Sequence, residues 1–260
     1  MNSQKAEEAR SHYVVKSNAL IQQSRFSLSL QAQRCLLYAI SLIKPLDSPN
    51  TEYEFSIRDL CEACGIDLDT AGEYYRTLKK ELKELRDRSI WITMNDGRET
   101  TFAWFQKVTL NRGSSTVSVK FDETASDYLF LLQSRYTQYR LSNVLCMKSK
   151  YSIRLWELLI SYVKKQRIEN GCEEEVYFTL EELKERLDAT IYTKFSDFQR
   201  FALDKAVDEI NLLSEDIHVK YELERKGRKV EQIYFVVTSP KYDQKRAARQ
   251  EKQKRYSGEK

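Results

Sequence analysis

The chain has 260 residues, of which 32% are charged and 41% hydrophobic, and its formal net charge is +4. This length suits two domains of roughly 100 to 150 residues each. No apolar run approaches the roughly 20 residues that span a bilayer, and no signal-peptide pattern opens the sequence. We therefore expect a cytoplasmic protein with no membrane partner.

The 5 cysteines are odd in number and mostly have apolar neighbours, which favours a reducing compartment. Cys61 and Cys64 have the C-x-x-C spacing of a zinc site. A tetrahedral site needs a second such pair or a histidine pair, and the histidines of the chain are His12 and His218. We predict packing roles for the two cysteines, no metal site and no cofactor.

Residues 1–12 are polar and are predicted to be flexible. The stretch from Ser29 to Ile43 is apolar nearly all round, which predicts a helix buried on most sides that ends before Pro45. The segment 55–60 then returns, in similar form, as 178–183. Each copy is followed by a helical stretch with Lys and Arg, an apolar strand and a turn centred on glycine, which indicates a duplicated domain.

A short helix after a hydroxyl cap, a longer basic helix and a β-hairpin follow the order of a winged helix-turn-helix, whose second helix enters the DNA major groove. We therefore predict an α+β fold of two tandem winged-helix domains related by internal duplication. The first domain is expected at 13–145 and the second at 146–240.

In the first domain, a helix predicted from Thr70 to Arg88 has an apolar face and an opposite basic stripe. The stripe suits DNA phosphates, although Glu81 and Glu84 indicate that part of this surface is solvated. Strands at 90–94 and 101–110 flank an Asp-Gly turn at 95–98, which we interpret as the first wing. The predicted backbone contacts of this domain are Arg76, Lys79, Lys80, Lys83 and Arg98.

Further elements complete the first domain. Strict alternation predicts a strand at 116–121, and the stretch 125–133 predicts a helix. The connection 139–150 has no Pro or Gly cluster, so we expect a short, stiff junction between the domains.

In the second domain, Ser196-x-x-Gln199 has the form of a capping box that begins a helix ending near Leu213. The first turns of this helix supply the predicted base contacts, since Arg pairs with guanine and Gln with adenine. Asp197 either accepts from a cytosine amino group or complements the helix dipole. The predicted base contacts are Lys194, Ser196, Asp197, Gln199 and Arg200.

Alternating strands at 217–222 and 230–237 enclose a second wing with four cations at its tip. Such a tip suits phosphates or a minor groove. Its members are Arg225, Lys226, Arg228 and Lys229.

The last 20 residues, from Lys241 to Lys260, carry a local charge of +5, so the rest of the chain carries −1. We expect disorder in this tail because it has almost no apolar residues. It either adds nonspecific affinity for DNA or serves as a solubilising end.

Three separated motifs, in the right order, resemble one known family. They are the segment 14–18 with the helix after Leu28, the junction that contains 148–155, and the segment 195–198 followed by 208–211. They are similar to the iteron-binding replication initiators of theta-replicating bacterial plasmids, the family of the F-plasmid initiator. The resemblance covers about Tyr13 to Val237.

The resemblance implies two winged-helix domains that bind directly repeated DNA sites, the iterons, at a plasmid origin. It implies monomers that open the origin and recruit the host initiator DnaA and the replicative helicase. It also implies homodimers, joined through the first domain, that repress the initiator's own promoter at an inverted repeat. The chain departs from the family at Gln199, where members often carry a basic residue.

Two other functions use related features. A transcriptional repressor would rely on the same DNA-binding physics and stays open. A rolling-circle nickase would need a histidine cluster to hold a metal, and His12 and His218 are far apart in the chain. A phosphate-binding G-x-x-x-x-G-K-[ST] loop is absent from the sequence, so we predict that the protein is not an ATPase and not an enzyme.

Overall fold

A computed structural model describes residues 12–66, 71–93 and 96–241, and for residues 71–73 only the backbone. The helices of this part are α1 (Asn18–Gln23), α2 (Leu30–Ile40), α3 (Ile57–Cys64), α4 (Ala71–Asp87), α5 (Glu123–Ser126), α6 (Ser142–Leu145), α7 (Lys150–Tyr162), α8 (Lys165–Glu169), α9 (Leu180–Arg186) and α10, which joins the consecutive segments Phe195–Phe198, Gln199–Leu203 and Asp204–Leu213. The strands are β1 (Tyr13–Ser17), β2 (Ser24–Arg25), β3 (Glu52–Ser56), β4 (Ser89–Thr93), β5 (Glu99–Ala103), β6 (Phe105–Asn111), β7 (Thr116–Phe121), β8 (Tyr136–Arg140), β9 (Glu174–Thr179), β10 (His218–Lys226) and β11 (Lys229–Thr238). The expectations for residues 1–11, for Thr70, for Met94 and Asn95, and for the tail after Lys241 lie outside the described residues.

Two units of the chain have the same topology. The first runs α2, β3, α3, α4, β6, β7 and has a sheet with strand order β3-β7-β6. The second runs α7, β9, α9, α10, β10, β11 and has the corresponding order β9-β11-β10. All these strand pairs are antiparallel. The predicted pair of winged-helix domains is confirmed.

The repeated sequence segment begins the equivalent short helix in each unit. Ser56 is the N-cap of α3 and its Oγ accepts a hydrogen bond from the Asp59 amide at 3.3 Å. Thr179 is the N-cap of α9 and accepts from the Glu182 amide at 3.2 Å. Each hydroxyl satisfies a backbone donor that the first turn of a helix leaves without a partner.

The hairpin at 95–98, which we predicted as the first wing, does not occupy the position of a wing in the strand order. The hairpin around Gly97 is real, but its strands β4 and β5 form a separate sheet in the order β2-β4-β5. The strands equivalent to the second wing are β6 and β7, joined by a turn at 112–115. Arg98 therefore lies on an inserted hairpin, and Arg112 lies at the tip of the first wing.

The strand predicted at 101–110 is interrupted at Trp104, and its two halves belong to different sheets. The Trp104 amide donates to the Leu85 carbonyl at 3.1 Å, and the Trp104 carbonyl accepts from the Asp122 amide at 3.1 Å. These bonds turn the backbone away from both ladders, while the indole is almost fully buried. An alternating pattern cannot reveal such a break because β5 and β6 continue the same period of two.

One other prediction on the first domain was wrong. The helix predicted at 125–133 is confined to the single turn of α5, after which the chain enters turns and Leu131 takes a φ of 50°. The segment 139–150, where we expected a short, stiff junction, is packed structure. It contains the end of β8 and all of α6, and Tyr139 is fully buried.

Helix α7, the first helix of the second unit, is almost entirely buried and places a carboxylate in the interior that the two units share. The Lys16 ammonium on β1 lies 2.6 Å from Glu157 Oε1, and each side chain is only 3% exposed. The Tyr139 hydroxyl on β8 donates to the same oxygen. Burial lowers the pKa of Lys16, and the neighbouring Glu157 carboxylate opposes that shift. The ion pair therefore joins the strand pair β1 and β8 to the first helix of the second unit.

Other contacts of the first unit with α7 and its neighbours extend this connection. Arg154 Nη2 donates to the Ser24 carbonyl at 3.0 Å, and Arg34 Nη2 donates to the Met147 carbonyl at 2.9 Å. The buried apolar side chains of both units form one continuous cluster. Among the described residues, no helix combines the length and apolar character needed to cross a membrane.

We predict that Lys16→Met lowers the free energy of unfolding by about 3–5 kcal/mol, because it leaves a buried carboxylate without its counter-charge. Adding Glu157→Gln should recover most of that loss, since the amide oxygen still accepts from Tyr139 and both charges are gone. Urea unfolding followed by tryptophan fluorescence measures each variant. Lys83→Met, which removes an exposed partner of Asp87, is the control and should cost at most about 1 kcal/mol. Losses that simply add in the double variant would contradict the ion pair.

Candidate nucleic-acid interface

Helix α10 occupies the position of the second helix of the helix-turn-helix, and its buried face sets which residues point outward. Phe198, Ala202, Ala206 and Ile210 are fully buried at a constant spacing of four. An α-helix turns once in about 3.6 residues, so this spacing would drift around its axis. The wider π-helical segment Gln199–Leu203 compensates for the drift. Leu203 and Val207 are also buried, whereas Arg200 and Phe201 in the π-helical segment are exposed.

The start of α10 differs from the predicted capping box. The helix begins at Phe195, Lys194 is the N-cap without a side-chain hydrogen bond, and Ser196 lies inside the first turn. Phe195 packs on Phe198 with ring centroids 6.3 Å apart, which draws it into the helix. Of the predicted base contacts, Lys194, Ser196 and Arg200 are exposed, and Asp197 is half-buried.

Gln199 is turned toward the wing rather than toward solvent. Its Nε2 donates to the Tyr221 hydroxyl on β10 at 2.7 Å, and that hydroxyl donates to Asp204 on α10. Burial, followed by the bond to Asp204, raises the pKa of Tyr221 to about 12. The three side chains therefore tie the π-helical turn to the first strand of the second wing.

The second wing brings its cations next to the start of α10. The Arg225 guanidinium lies 5.8 Å from the centroid of the Phe195 ring, so the base of the wing packs over the first turn of the helix. Lys226 Nζ lies 3.8 Å from Glu231. Gly227, with a φ of 64°, makes the tight turn, and Arg228 and Lys229 are exposed beside it. We call the exposed cations of the helix start and of the wing the cationic surface; they are Lys194, Arg200, Arg225, Lys226, Arg228 and Lys229.

The basic stripe of α4 lies in the other winged-helix unit and is exposed as predicted. Arg76, Lys79, Lys80 and Lys83 all face solvent, opposite the buried apolar face. Lys83 pairs with Asp87 one turn later. The expectation for Glu81 was wrong, because this side chain is buried and accepts a hydrogen bond from the Ser29 hydroxyl. Glu81 thus attaches α4 to the start of α2.

Three exposed residues of these surfaces were missed by reasoning from the sequence. Arg112 was passed over because strand order, which identifies the true first wing, is not visible in a sequence. Phe201 and Lys205 follow Arg200 on the outward side of α10. The pattern of apolar residues in α10 gave no signal for them, since burial of Leu203 and Val207 beside Ala202 and Ala206 is also typical of a regular α-helix. Arg98, by contrast, is paired with Asp96 at 2.8 Å on the inserted hairpin.

Both winged-helix regions of the chain match models of one protein family. Residues 13–160 match the model described as "Initiator Replication protein, WH1", and residues 179–237 match the one described as "Initiator Rep protein, WH2". The chain belongs to the Rep3 family of initiator replication proteins. The predicted family is therefore confirmed. The first matched segment runs from β1 through most of α7, and the second runs from the end of β9 to β11.

This Rep3 protein is similar in sequence or fold to two other initiator proteins. A replication initiation protein of Escherichia coli is 24% identical over 231 residues, which cover 86% of this chain and 69% of the relative. The crystal structure of the Pi initiator protein in complex with iteron DNA superimposes with a TM-score of 0.70 at 23% identity, covering 88% of this chain and 98% of Pi. At this identity the superposition shows a common fold.

We predict that Tyr221→Phe lowers the free energy of unfolding by about 1–2 kcal/mol, because it removes the two hydrogen bonds that join Gln199 and Asp204 to the wing. Urea unfolding measures the change. Tyr177→Phe, on the exposed outer face of the same sheet, is the matched control and should stay within about 0.5 kcal/mol of the parent. Equal effects of the two substitutions would show that the Tyr221 hydroxyl does not hold the wing against α10.

Proposed function

We propose that this Rep3 protein initiates plasmid DNA replication by binding direct repeats, the iterons, at the origin. The observation that supports this most is the cationic surface formed by the start of α10 and the second wing, in a chain of an initiator family. The similarity of its fold to that of an initiator whose structure contains iteron DNA agrees with the proposal.

In this proposal α10 enters the major groove with its first turns against base edges. Lys194, Ser196 and Arg200 are exposed there, and an arginine can bind guanine through two hydrogen bonds. Asp197 and Gln199 remain proposed base contacts. Gln199 would first have to leave the Tyr221 hydroxyl, which makes Gln199 the costlier contact of the two.

The wings and α4 would contact the sugar-phosphate backbone or a minor groove. Arg228 and Lys229 are exposed at the second tip, and Arg225 and Lys226 lie at its base. In the first unit the backbone contacts would come from the α4 stripe (Arg76, Lys79, Lys80, Lys83) and from Arg112. Such contacts orient the protein on DNA and carry no sequence information directly.

The remaining parts of the proposal rest on the family resemblance. They are opening of the origin by monomers in the cytoplasm, recruitment of DnaA and the replicative helicase, and repression of the initiator's own promoter by homodimers at an inverted repeat. We propose a binding role rather than a catalytic one, since His12 precedes β1 and His218 begins β10 in the other unit. A dedicated repressor is the alternative, and it would prefer a lone palindrome to direct repeats.

The test is a gel-shift titration on the direct repeats nearest the gene against random DNA. It is run at several salt concentrations with divalent metal present, and the DNA is checked for nicks. Tight binding to intact repeats supports the initiator. Cleaved DNA, or equal binding to random sequence, would overturn it.

We predict that Arg200→Ala weakens binding to the repeats by about 1–3 kcal/mol and relaxes discrimination at one base pair, because a bidentate base contact is lost. Lys79→Ala is the matched control, and should weaken binding to repeats and random DNA alike, as a phosphate contact does. Titrations on single-base variants of the repeat measure both. An Arg200→Ala protein that keeps the parent's ratio of specific to random binding would remove α10 from the proposed role.

We predict that Arg112→Ala reduces the slope of log affinity against log salt by about 1, because one phosphate contact is lost at the first wing. Arg98→Ala, at the tip of the inserted hairpin, should leave the slope unchanged. The two variants remove the same type of side chain from the tips of two consecutive hairpins, so they separate the two candidate wings. The reverse result would show that the hairpin at 95–98 contacts DNA.

A further inference from the structure

One aromatic side chain on α10 faces solvent. Phe201 follows Arg200 in the π-helical turn and is 46% exposed, whereas Phe198 on the same helix is fully buried. A regular α-helical turn would bring the next residue after Arg200 closer to the buried face. The wider turn instead leaves both side chains on the outward side.

The Phe201 ring is held in a defined position. It stacks on Tyr192 with ring centroids 6.1 Å apart and an interplanar angle of 21°. Lys184 Nζ donates to the Tyr192 carbonyl at 2.5 Å, and the Tyr192 amide donates to Ala189 at 3.2 Å. Tyr192 and Phe201, which we call the aromatic shelf, therefore form a preorganised apolar surface. Ile191, the neighbour of Tyr192 in the chain, is 79% exposed.

The aromatic shelf lies within the cationic surface proposed to contact DNA. The Arg200 guanidinium lies 5.2 Å from the centroid of the Phe201 ring. Lys194 precedes α10, Lys205 follows the shelf on the same helix, and both are exposed. The lysines would attract the phosphates. The Phe201 ring is apolar and gains nothing from a phosphate, so in the same groove it would contact base edges.

Only one of the four bases offers an apolar group in the major groove, the C5-methyl of thymine. We infer that Phe201 reads a thymine by packing its ring against that methyl group, in the base pair adjacent to the one that Arg200 contacts. This inference rests on the proposed function and adds one position to its sequence specificity. Burial of one methyl group is worth a factor of about four in affinity.

The test removes the methyl group from the DNA as well as the ring from the protein. Each thymine of the repeat is replaced in turn by deoxyuridine, which keeps its hydrogen-bonding edge, and the affinity is measured for the parent and for Phe201→Ala. We expect one replacement to weaken the parent about fourfold and to leave Phe201→Ala unaffected. Phe201→Leu, which keeps an apolar side chain, should retain part of the response.

Leu212→Ala is the matched control, since Leu212 is 80% exposed at the far end of α10 and should keep the full parental response. If no deoxyuridine position weakens the parent, or if Phe201→Ala shows the same loss as the parent, the inference is overturned. A purely structural role of Phe201 would weaken binding to thymine and deoxyuridine repeats equally. Failure of the proposed function is a separate result, in which the parent itself does not prefer repeats to random DNA.

Discussion

The buried carboxylate of Glu157 is the contact on which the arrangement of the two winged-helix units depends. Placing an ion inside a protein costs several kcal/mol, and the site is tolerable here because Lys16 and Tyr139 both bind the same oxygen. Those partners, Lys16 on β1 and Tyr139 on β8, are 123 residues apart in sequence, and their strands pair with each other. The first helix of the second unit is thereby attached to the first unit by polar contacts with strict geometry, in addition to the continuous apolar core.

A second constraint lies within α10, because this one helix packs on the core and also carries the residues that we propose as base contacts. Phe198, Ala202, Ala206 and Ile210 are buried four positions apart, and the π-helical turn offsets the drift of that spacing around the helix axis. The π-helical turn also leaves Arg200 and Phe201 side by side on the exposed surface. The second wing lies beside this helix, where its Arg225 contacts Phe195. Packing of the core and display of the surface are thus two consequences of the same irregular turn, and π-helical turns are often found at functional sites.

The charged side chains discussed above also divide into exposed and buried groups. The cations of α4, of the start of α10 and of the second wing are exposed, whereas Glu157 and Glu81 are buried and structural. Residues 1–240 carry a net charge of only −1, so attraction to DNA must come from local grouping rather than from the total charge. The pairing of Lys83 with Asp87 and of Arg98 with Asp96 shows that some cations already have intramolecular partners.

Local patterns were sufficient to predict the duplicated winged helices, both hydroxyl caps, helix α4 and the second wing, because each depends on neighbours in the chain. The buried face of α10 and the exposure of Arg200 could be read from helical periodicity for the same reason. The identity of the first wing, the break at Trp104 and the packed state of Tyr139 could not, since they depend on which strand pairs with which. The engagement of Gln199 by Tyr221 and the outward position of Phe201 also required the folded chain. Hydrogen bonds between residues distant in sequence form only when the tertiary structure brings them together, and no spacing along the chain records them.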